Sequence, residues 1–194
     1  LWQEGHTAHS TEQEARQETE TILDVYKDVV ENTMGIPVFT GKKSESEKFA
    51  GAVDTLCIEA MMGDKKALQA GTSHYLGENF AKAFDVKFQN EKNEEQYVHA
   101  TSWGVSTRLI GALIMVHGDE KGLRLPPKIA PIQVVIVPIF KNNEQLNKIK
   151  SYLHEFCEFC NNSDIRFLLD ERQNLSPGFK FNEWELKGVP LRLE

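Results

Sequence analysis

Three prolines, Pro126, Pro127 and Pro131, divide the chain into two stretches with different patterns of secondary structure. Proline has no backbone N–H and a fixed φ, so this segment can continue neither a helix nor a central strand. Before it, β-rich runs surround two short helices; after it, strands and helices alternate. We therefore predict two domains, residues 1–125 and 126–194, in a chain of the α+β class.

An amphipathic helix is predicted over residues 10–34, because apolar residues recur there with helical spacing and acidic residues occupy the opposite face. Ser10 and Gln13 have the spacing of a capping box, and Gly35 supplies a stop signal. We expect this helix to lie on the surface with its acidic face in solvent.

Short β-rich runs and two helices make up the rest of the first stretch. The runs are predicted strands over residues 36–40, 52–61, 67–75, 84–88 and 97–103. A short helix is predicted over 78–84, and a second over 107–117, where the segment LIGALIMV is so apolar that we expect burial on nearly every side. Strands that do not alternate strictly with helices favour an antiparallel sheet.

The second stretch has a βαβαβ pattern. Strands are predicted over 132–139, 165–169 and 189–193, and helices over 144–161 and 177–187. Strands joined by crossover helices pair in parallel, so this stretch predicts a small α/β domain.

The net charge of −7 comes largely from one segment, since residues 1–35 hold eight acidic and two basic residues. Bulk charge therefore argues against sequence-independent nucleic-acid binding, but the remaining surface can still present basic patches to an RNA.

No apolar run approaches the ~20 residues that span a bilayer, so no membrane partner is expected. The chain begins without Met or a signal sequence, which predicts an excised piece of a longer, cytoplasmic protein.

Cys157 and Cys160 form a CxxC pair with His154 just before it. A redox CxxC works at a helix N-terminus, and a zinc site needs further ligands; here the pair lies near a helix C-terminus and no second ligand pair follows. We interpret both cysteines as buried core thiols, and with three cysteines in a reducing compartment we expect no disulfide.

The segment from Gln69 to His74 leaves a β-run and carries the first candidate site residues. In an extended strand Thr72 and His74 share one face, whereas Gln69 lies on the other. The His74 imidazole can donate a hydrogen bond to a substrate carboxylate or line a pocket. A structural, hydrogen-bonded histidine is the alternative.

Arg108 lies in the first turn of an otherwise apolar helix, where a guanidinium needs an anion or a π-face as partner. Phosphate is a natural candidate, because the helix N-terminus adds free N–H groups and a positive dipole end. Pairing with a structural carboxylate is the alternative.

At the start of the chain, Trp2, Glu4 and His6 share a strand face and suit a small zwitterion with an apolar ring.

The segments WQEGHTAH, EKFAGA, IEA, QAGTSH, GENFAKAF and TSWGVSTRLIGALIMVHGDEKGLRLPPKIAPIQVVIVPI resemble the prolyl-tRNA synthetases of the eukaryotic and archaeal-like type. The resemblance implies part of an antiparallel class II catalytic sheet followed by part of an α/β anticodon-binding domain. It also implies ATP-dependent activation of proline and its transfer to tRNA(Pro), with Mg²⁺ as cofactor and a homodimer as the complete enzyme.

The resemblance also implies roles for individual residues of this chain that match the family's motifs. ATP contacts are implied for Gln69, Thr72, Ser106 and Arg108, and Mg²⁺ ligands for Gln69 and Glu59. Proline contacts are implied for His74, Trp2, Glu4, His6, Ser102, Trp103 and Gly104. Because family segments are expected outside these 194 residues, we expect the piece alone to be inactive.

Two other functions remain open from the sequence. A synthetase-like paralogue would activate a carboxylate without charging tRNA, and we expect such a protein to lack a full anticodon domain. An RNA-binding or regulatory module would have no need of the ATP-contacting set.

Overall fold

The computed structural model describes residues 1–194 and divides them into two units, 1–116 and 117–194. The division lies earlier than the predicted boundary after residue 125. None of the helices combines the length and the apolar character that a membrane crossing requires.

The first unit is built on a five-stranded antiparallel sheet with strand order β1-β7-β4-β3-β2. Its strands are β1 Trp2–His9, β2 Val38–Lys42, β3 Asp54–Met61, β4 Ala67–Gly77 and β7 His99–Ser106. The antiparallel sheet predicted from the sequence is confirmed. The predicted strand over 97–103 corresponds largely to β7. The predicted strand over 84–88 is present only as the short β5 Lys87–Gln89, which forms a separate hairpin with β6 Glu95–Tyr97.

Helix α1, Glu12–Asp28, covers one face of this sheet. Thr11 and Glu14 form its capping box, one residue later than the predicted Ser10 and Gln13, and Ser10 instead donates its hydroxyl to the Glu14 carboxylate. A π-helical turn, Val29–Thr33, ends the helix. The acidic side chains lie on the exposed face, as predicted.

Close approach of α1 to the sheet depends on Gly71 in β4. A Cβ at this position would lie 3.2 Å from the Tyr26 ring and 3.0 Å from Val105 Cγ1. Tyr26 crosses the gap beside this glycine and donates its hydroxyl to the Gln3 side chain at 2.5 Å. Burial raises the pKa of Tyr26 to about 12, so this donor keeps its proton.

Helix α2, Asn79–Phe84, lies close to the prediction, but α3, Arg108–His117, differs from it in burial. Only Ala112 is fully buried, while Leu109, Leu113 and Val116 pack against the core from one side. Ile110, Ile114 and Met115 are each about half exposed. The expectation of burial on nearly every side is wrong, because the core of this unit meets one face of the helix.

The second unit contains a short hairpin, β8 Gly118–Asp119 with β9 Gly122–Leu123, and a three-stranded parallel sheet. The sheet order is β11-β10-β12, with β10 Val134–Ile136, β11 Phe167–Leu169 and β12 Leu191–Leu193. Helices α4, Asn143–Asn162, and α5, Pro177–Leu186, form the crossovers. The parallel βαβαβ arrangement is as predicted.

The proline-rich segment is fastened to this second unit by one side chain. The Arg166 guanidinium donates to the carbonyl oxygens of Pro127, Lys128 and Ala130 at 3.0 to 3.1 Å. The prolines thus break regular structure, as predicted, inside the second unit.

All three cysteines are free thiols. Cys160 is fully buried, and burial raises the pKa of its thiol, whereas Cys157 is half-buried. The prediction of buried core thiols therefore holds for Cys160 alone. His154 is exposed and lies 3.5 Å from Glu158.

Candidate active site

The face of the sheet opposite α1 carries the candidate residues in rows that run across the strands. Directly paired residues of antiparallel strands share one face of a sheet. One row contains Thr55, His74, Ser102 and His6. The next contains Cys57, Thr72, Gly104 and Glu4. Residues distant in sequence thus become neighbours.

Gln69 joins this face because the pairing of β3 with β4 contains a bulge. Ile58 pairs with Gly71, but the next residue, Glu59, pairs with Gln69, so Ala70 is left without a partner. An unpaired residue in a bulge reverses the alternation of the strand on one side of it. The prediction that Gln69 lies on the face opposite Thr72 and His74 is therefore wrong.

These residues enclose a cavity of about 300 Å³. Its lining includes all of the predicted ATP and proline contacts: Gln69, Thr72, Ser106, Arg108, His74, Trp2, Glu4, His6, Ser102, Trp103 and Gly104. Phe49, Gln3, Ala70, Gly71 and Val105 complete it. The volume is within the range of small-molecule sites.

Arg108 stands at the rim of this cavity as the first residue of α3. Its guanidinium donates to the Gln69 carbonyl oxygen at 3.3 Å and forms no ion pair with a carboxylate. No structural carboxylate pairs with Arg108 within these 194 residues. The Ser106 hydroxyl accepts from the Arg108 backbone N–H at 3.2 Å, which holds the start of the helix beside the cavity. An exposed cation at a helix start is suited to bind a phosphate.

His74 is held from two sides, by its neighbour Thr55 in the row and by Phe49. Its Nδ1 lies 2.9 Å from the Thr55 hydroxyl, and the Phe49 ring lies with its centroid 5.0 Å from that of the imidazole. Burial lowers the pKa of His74, which favours the neutral imidazole. A neutral ring with one free nitrogen at a cavity wall is able to form a directed hydrogen bond to a ligand.

Trp103 borders the cavity, but its indole is on the face covered by α1. It pairs with Gly5 and Ser73, one residue out of step with the rows of Ser102 and Gly104, and it packs against the core of the unit. Trp103 thus borders the cavity through its position in the strand, whereas its indole ring packs on the opposite face of the sheet.

Glu59 lies opposite Gln69 and outside the main cavity. Its carboxylate is 3.7 Å from the Lys43 ammonium and accepts a hydrogen bond from the Cys57 thiol, with 4.0 Å between Sγ and Oε1. No cluster of three or more His, Cys, Asp or Glu side chains with metal-binding geometry occurs in the chain. Mg²⁺ needs few protein ligands when it is held by phosphates and water, so the oxygens of Glu59 and Gln69 fit a supporting role.

Trp2, Glu4 and His6 project from β1, an edge strand of the sheet, and are exposed. They line the same cavity as His74 and share one face of the strand, as their alternation in sequence predicts. That this is also the face of His74 follows from the pairing of β1 with β7 and of β7 with β4.

Phe49 and Thr55 are the site residues that the residue-by-residue reasoning missed. Phe49 lies in a loop between β2 and β3 and reaches the cavity only through folding. Thr55 looked like an ordinary strand residue. The sequence signal that could have found Thr55 is the succession of two β-rich runs, 52–61 and 67–75, because two such strands pair and bring Thr55 beside His74.

Two family models match the chain. The one described as the tRNA synthetase class II core domain (G, H, P, S and T) matches residues 1–117, and the one described as an anticodon-binding domain matches residues 133–194. Together with the antiparallel sheet and its polar cavity, this match shows that the chain belongs to the class II tRNA synthetase family.

Within that family the chain is similar to proteins named proline–tRNA ligase. It is 61% identical to the proline–tRNA ligase of Borreliella burgdorferi and 59% identical to that of Symbiobacterium thermophilum, over the whole chain in both cases. It covers 40% and 39% of those proteins.

A solved structure gives the same result. The prolyl-tRNA synthetase of Cryptosporidium parvum, complexed with L-proline and AMP, superposes with a TM-score of 0.90 at 49% identity, over 99% of this chain and 41% of that one. The resemblance to prolyl-tRNA synthetases and the predicted fold class are confirmed.

Proposed function

We propose that the protein containing this chain is a proline–tRNA ligase, and that residues 1–116 supply much of its site for ATP and proline. The proposal is supported chiefly by side chains that converge on one cavity wall. Gln69, Thr72 and His74 come from β4, where the bulge brings Gln69 onto the face of the other two, and Arg108 comes from the start of α3. A regulatory RNA-binding module would have no use for such a wall.

In this function a carboxylate oxygen of proline attacks the α-phosphorus of ATP, and pyrophosphate leaves as its bond to that phosphorus breaks. A ribose hydroxyl of the tRNA terminus then attacks the prolyl carbonyl, and AMP leaves. The first step brings a carboxylate and a phosphate together, so the protein contributes by positioning and by charge stabilisation, without a nucleophile of its own.

Arg108 is assigned to the nucleotide. Its exposed guanidinium at the start of α3 balances phosphate charge as pyrophosphate departs. The Gln69 carbonyl oxygen accepts from this guanidinium, and the Ser106 hydroxyl accepts from the Arg108 backbone N–H. Thr72, on the same wall, offers a hydroxyl to the nucleotide. When bound, Mg²⁺ would neutralise phosphate charge, with oxygens of Gln69 and Glu59 as its protein ligands or as partners of its water shell.

His74 is assigned to proline, together with Ser102 and Gly104 from the same sheet rows and Trp2, Glu4 and His6 from the edge strand. Phe49 adds an apolar surface beside the imidazole. A small apolar pocket discriminates by only about 1–3 kcal/mol per methylene, so we expect imperfect rejection of alanine and cysteine.

Residues 133–194 are assigned to the anticodon of tRNA(Pro), on the strength of the family match. We further propose that the complete enzyme is a homodimer and acts in the cytoplasm. The free thiols accord with a reducing compartment. Sedimentation of the full gene product and its fractionation from cells test these two points.

The main experiment uses the full gene product. Proline-dependent exchange of pyrophosphate into ATP, followed by charging of tRNA(Pro), is the expected result. Exchange without charging would indicate the paralogue that activates a carboxylate for another purpose. Exchange that depends on another amino acid and does not occur with proline would overturn the assignment of substrate.

A further inference from the structure

The hydroxyl of Thr55 connects the loop that carries Phe49 to the imidazole of His74. Thr55 is 1% exposed, so water does not satisfy its hydroxyl. The Phe49 backbone N–H lies 3.1 Å from Thr55 Oγ1, and His74 Nδ1 lies 2.9 Å from the same oxygen. These are the two partners of this hydroxyl.

The chemistry of the three groups fixes the direction of each hydrogen bond. A backbone N–H only donates, so Thr55 Oγ1 accepts from Phe49. The hydroxyl proton then needs an acceptor, because a buried hydroxyl that donates to nothing is costly. His74 Nδ1 is the acceptor within reach, and it can accept only when it carries no proton.

A neutral imidazole carries one proton, so a proton-free Nδ1 places it on Nε2. Nε2 has no hydrogen-bond partner in the protein, and His74 lines the cavity. Burial, which lowers the pKa of His74, supports the neutral ring that this arrangement needs.

We propose that Thr55 is a positioning residue that fixes His74 as its Nε2–H tautomer, so that the imidazole offers a hydrogen-bond donor to the carboxylate of the amino acid substrate. The identity of that substrate rests on the proposed function; the tautomer does not. Thr55 itself does not line the cavity.

The same hydroxyl couples substrate recognition to the Phe49 loop. Because Thr55 accepts from the Phe49 backbone, and the Phe49 ring lies against the imidazole, the loop and the ring orientation of His74 are held together. Removal of the hydroxyl frees both at once, which predicts a loss in proline binding without a loss in ATP binding.

The test uses the full gene product with 15N-labelled histidine, and a His74→Gln variant assigns the His74 signals. The ring-nitrogen chemical shifts of the wild type should show a protonated Nε2 and a hydrogen-bonded, proton-free Nδ1. Thr55→Val keeps the shape of the side chain but removes the hydroxyl, and should produce a mixture of tautomers. Thr55→Ser should restore the wild-type spectrum.

Kinetics supply the second measurement. Thr55→Val should raise the KM for proline about threefold to tenfold, as expected for one lost hydrogen bond, and leave the KM for ATP unchanged. Thr55→Ser should return the KM for proline to near the wild-type value. Thr19→Val is the matched control, since Thr19 is equally buried but donates its hydroxyl to the Ala15 carbonyl within α1.

A proton on Nδ1 in the wild type overturns the proposal whatever the substrate is, and it does so even if Thr55→Val fails to fold. An unchanged KM for proline in a folded Thr55→Val variant, or an equal effect of Thr19→Val, also overturns it. If the wild type activates an amino acid other than proline, the proposed function fails while the spectrum still decides the role of Thr55.

Discussion

Gly5 lies beneath the indole of Trp103, on the sheet face that α1 covers. The two residues are directly paired between β1 and β7. A Cβ on Gly5 would lie 2.2 Å from the indole Cε2 and Nε1 atoms, so no side chain larger than hydrogen fits under the ring in its present position. The edge strand β1 therefore keeps its place in the sheet partly because Gly5 lacks a side chain.

Gly5→Ala should displace the indole and loosen the β1–β7 pair, at a cost of about 1–3 kcal/mol in the free energy of unfolding. Hydrogen exchange followed by mass spectrometry should show faster exchange in peptides from both strands. Gly41→Ala in β2 is the control, because a Cβ there meets nothing within 4 Å. Equal protection in both variants would contradict the packing argument.

Arg108→Lys keeps the charge at the start of α3 but removes the planar guanidinium. We expect kcat/KM for ATP in pyrophosphate exchange to fall about tenfold to a hundredfold, because an ammonium cannot reproduce the fork of donors toward phosphate. The KM for proline should change little. Arg124→Lys, the same substitution at an exposed arginine of the second unit, should behave as the wild type; an equal loss there would point to a general effect of charge.

Asp170 makes the second unit sensitive to acid. Its buried carboxylate accepts from Arg172 at 2.6 and 2.8 Å and from the Trp184 indole at 2.9 Å, and lies 3.6 Å from the buried Lys180 ammonium. The Arg172 hydrogen bonds hold the pKa of Asp170 well below its ordinary value of 3.8. A carboxyl with a lowered folded-state pKa contributes stability above its unfolded pKa and loses it as the pH falls below that value.

Asp170→Asn should destabilise the second unit at pH 7 by about 3 kcal/mol, because it leaves the buried Lys180 ammonium without its counter-charge, whereas Arg172 keeps its ion pair with Glu183. It should also flatten the loss of stability below about pH 4, which urea unfolding at a series of pH values measures. Asp164→Asn, at an exposed aspartate of the same unit, should leave both unchanged. A steep acid transition in Asp170→Asn would assign the sensitivity to another group.

Ser73 is fully buried between α1 and the sheet, and its hydroxyl has no hydrogen-bond partner. Ser73→Ala should therefore leave the free energy of unfolding unchanged or raise it by up to about 1 kcal/mol, since the alanine has no unsatisfied group. Thr101→Val should lower it, because the Thr101 hydroxyl is bonded to that of Thr7 at 2.6 Å. Thermal unfolding of the two variants in parallel tests the contrast; a loss in Ser73→Ala would contradict it.

Local patterns predicted most elements because their causes are local. The amphipathic period of α1, the β-rich runs and the βαβαβ order of the second unit all correspond to the observed elements. The capping residue was missed by one position, because Ser10 and Thr11 both have suitable neighbours three residues on, and only the backbone conformation at Thr11 selects between them. The exposure of Ile110, Ile114 and Met115 was missed because apolar composition does not specify which face meets a core.

The sequence by itself determined the family, the alternation that places Thr72, His74, Glu4 and His6, and the cation at the start of α3. These depend on residue type and on spacing along one element. Only the tertiary structure decided that Gln69 joins Thr72, that Trp103 turns away from the cavity over Gly5, and that Phe49 and Thr55 hold His74. Each of these depends on the pairing of separate strands, where one unpaired residue reverses a face and a single buried hydroxyl sets the direction of a hydrogen bond.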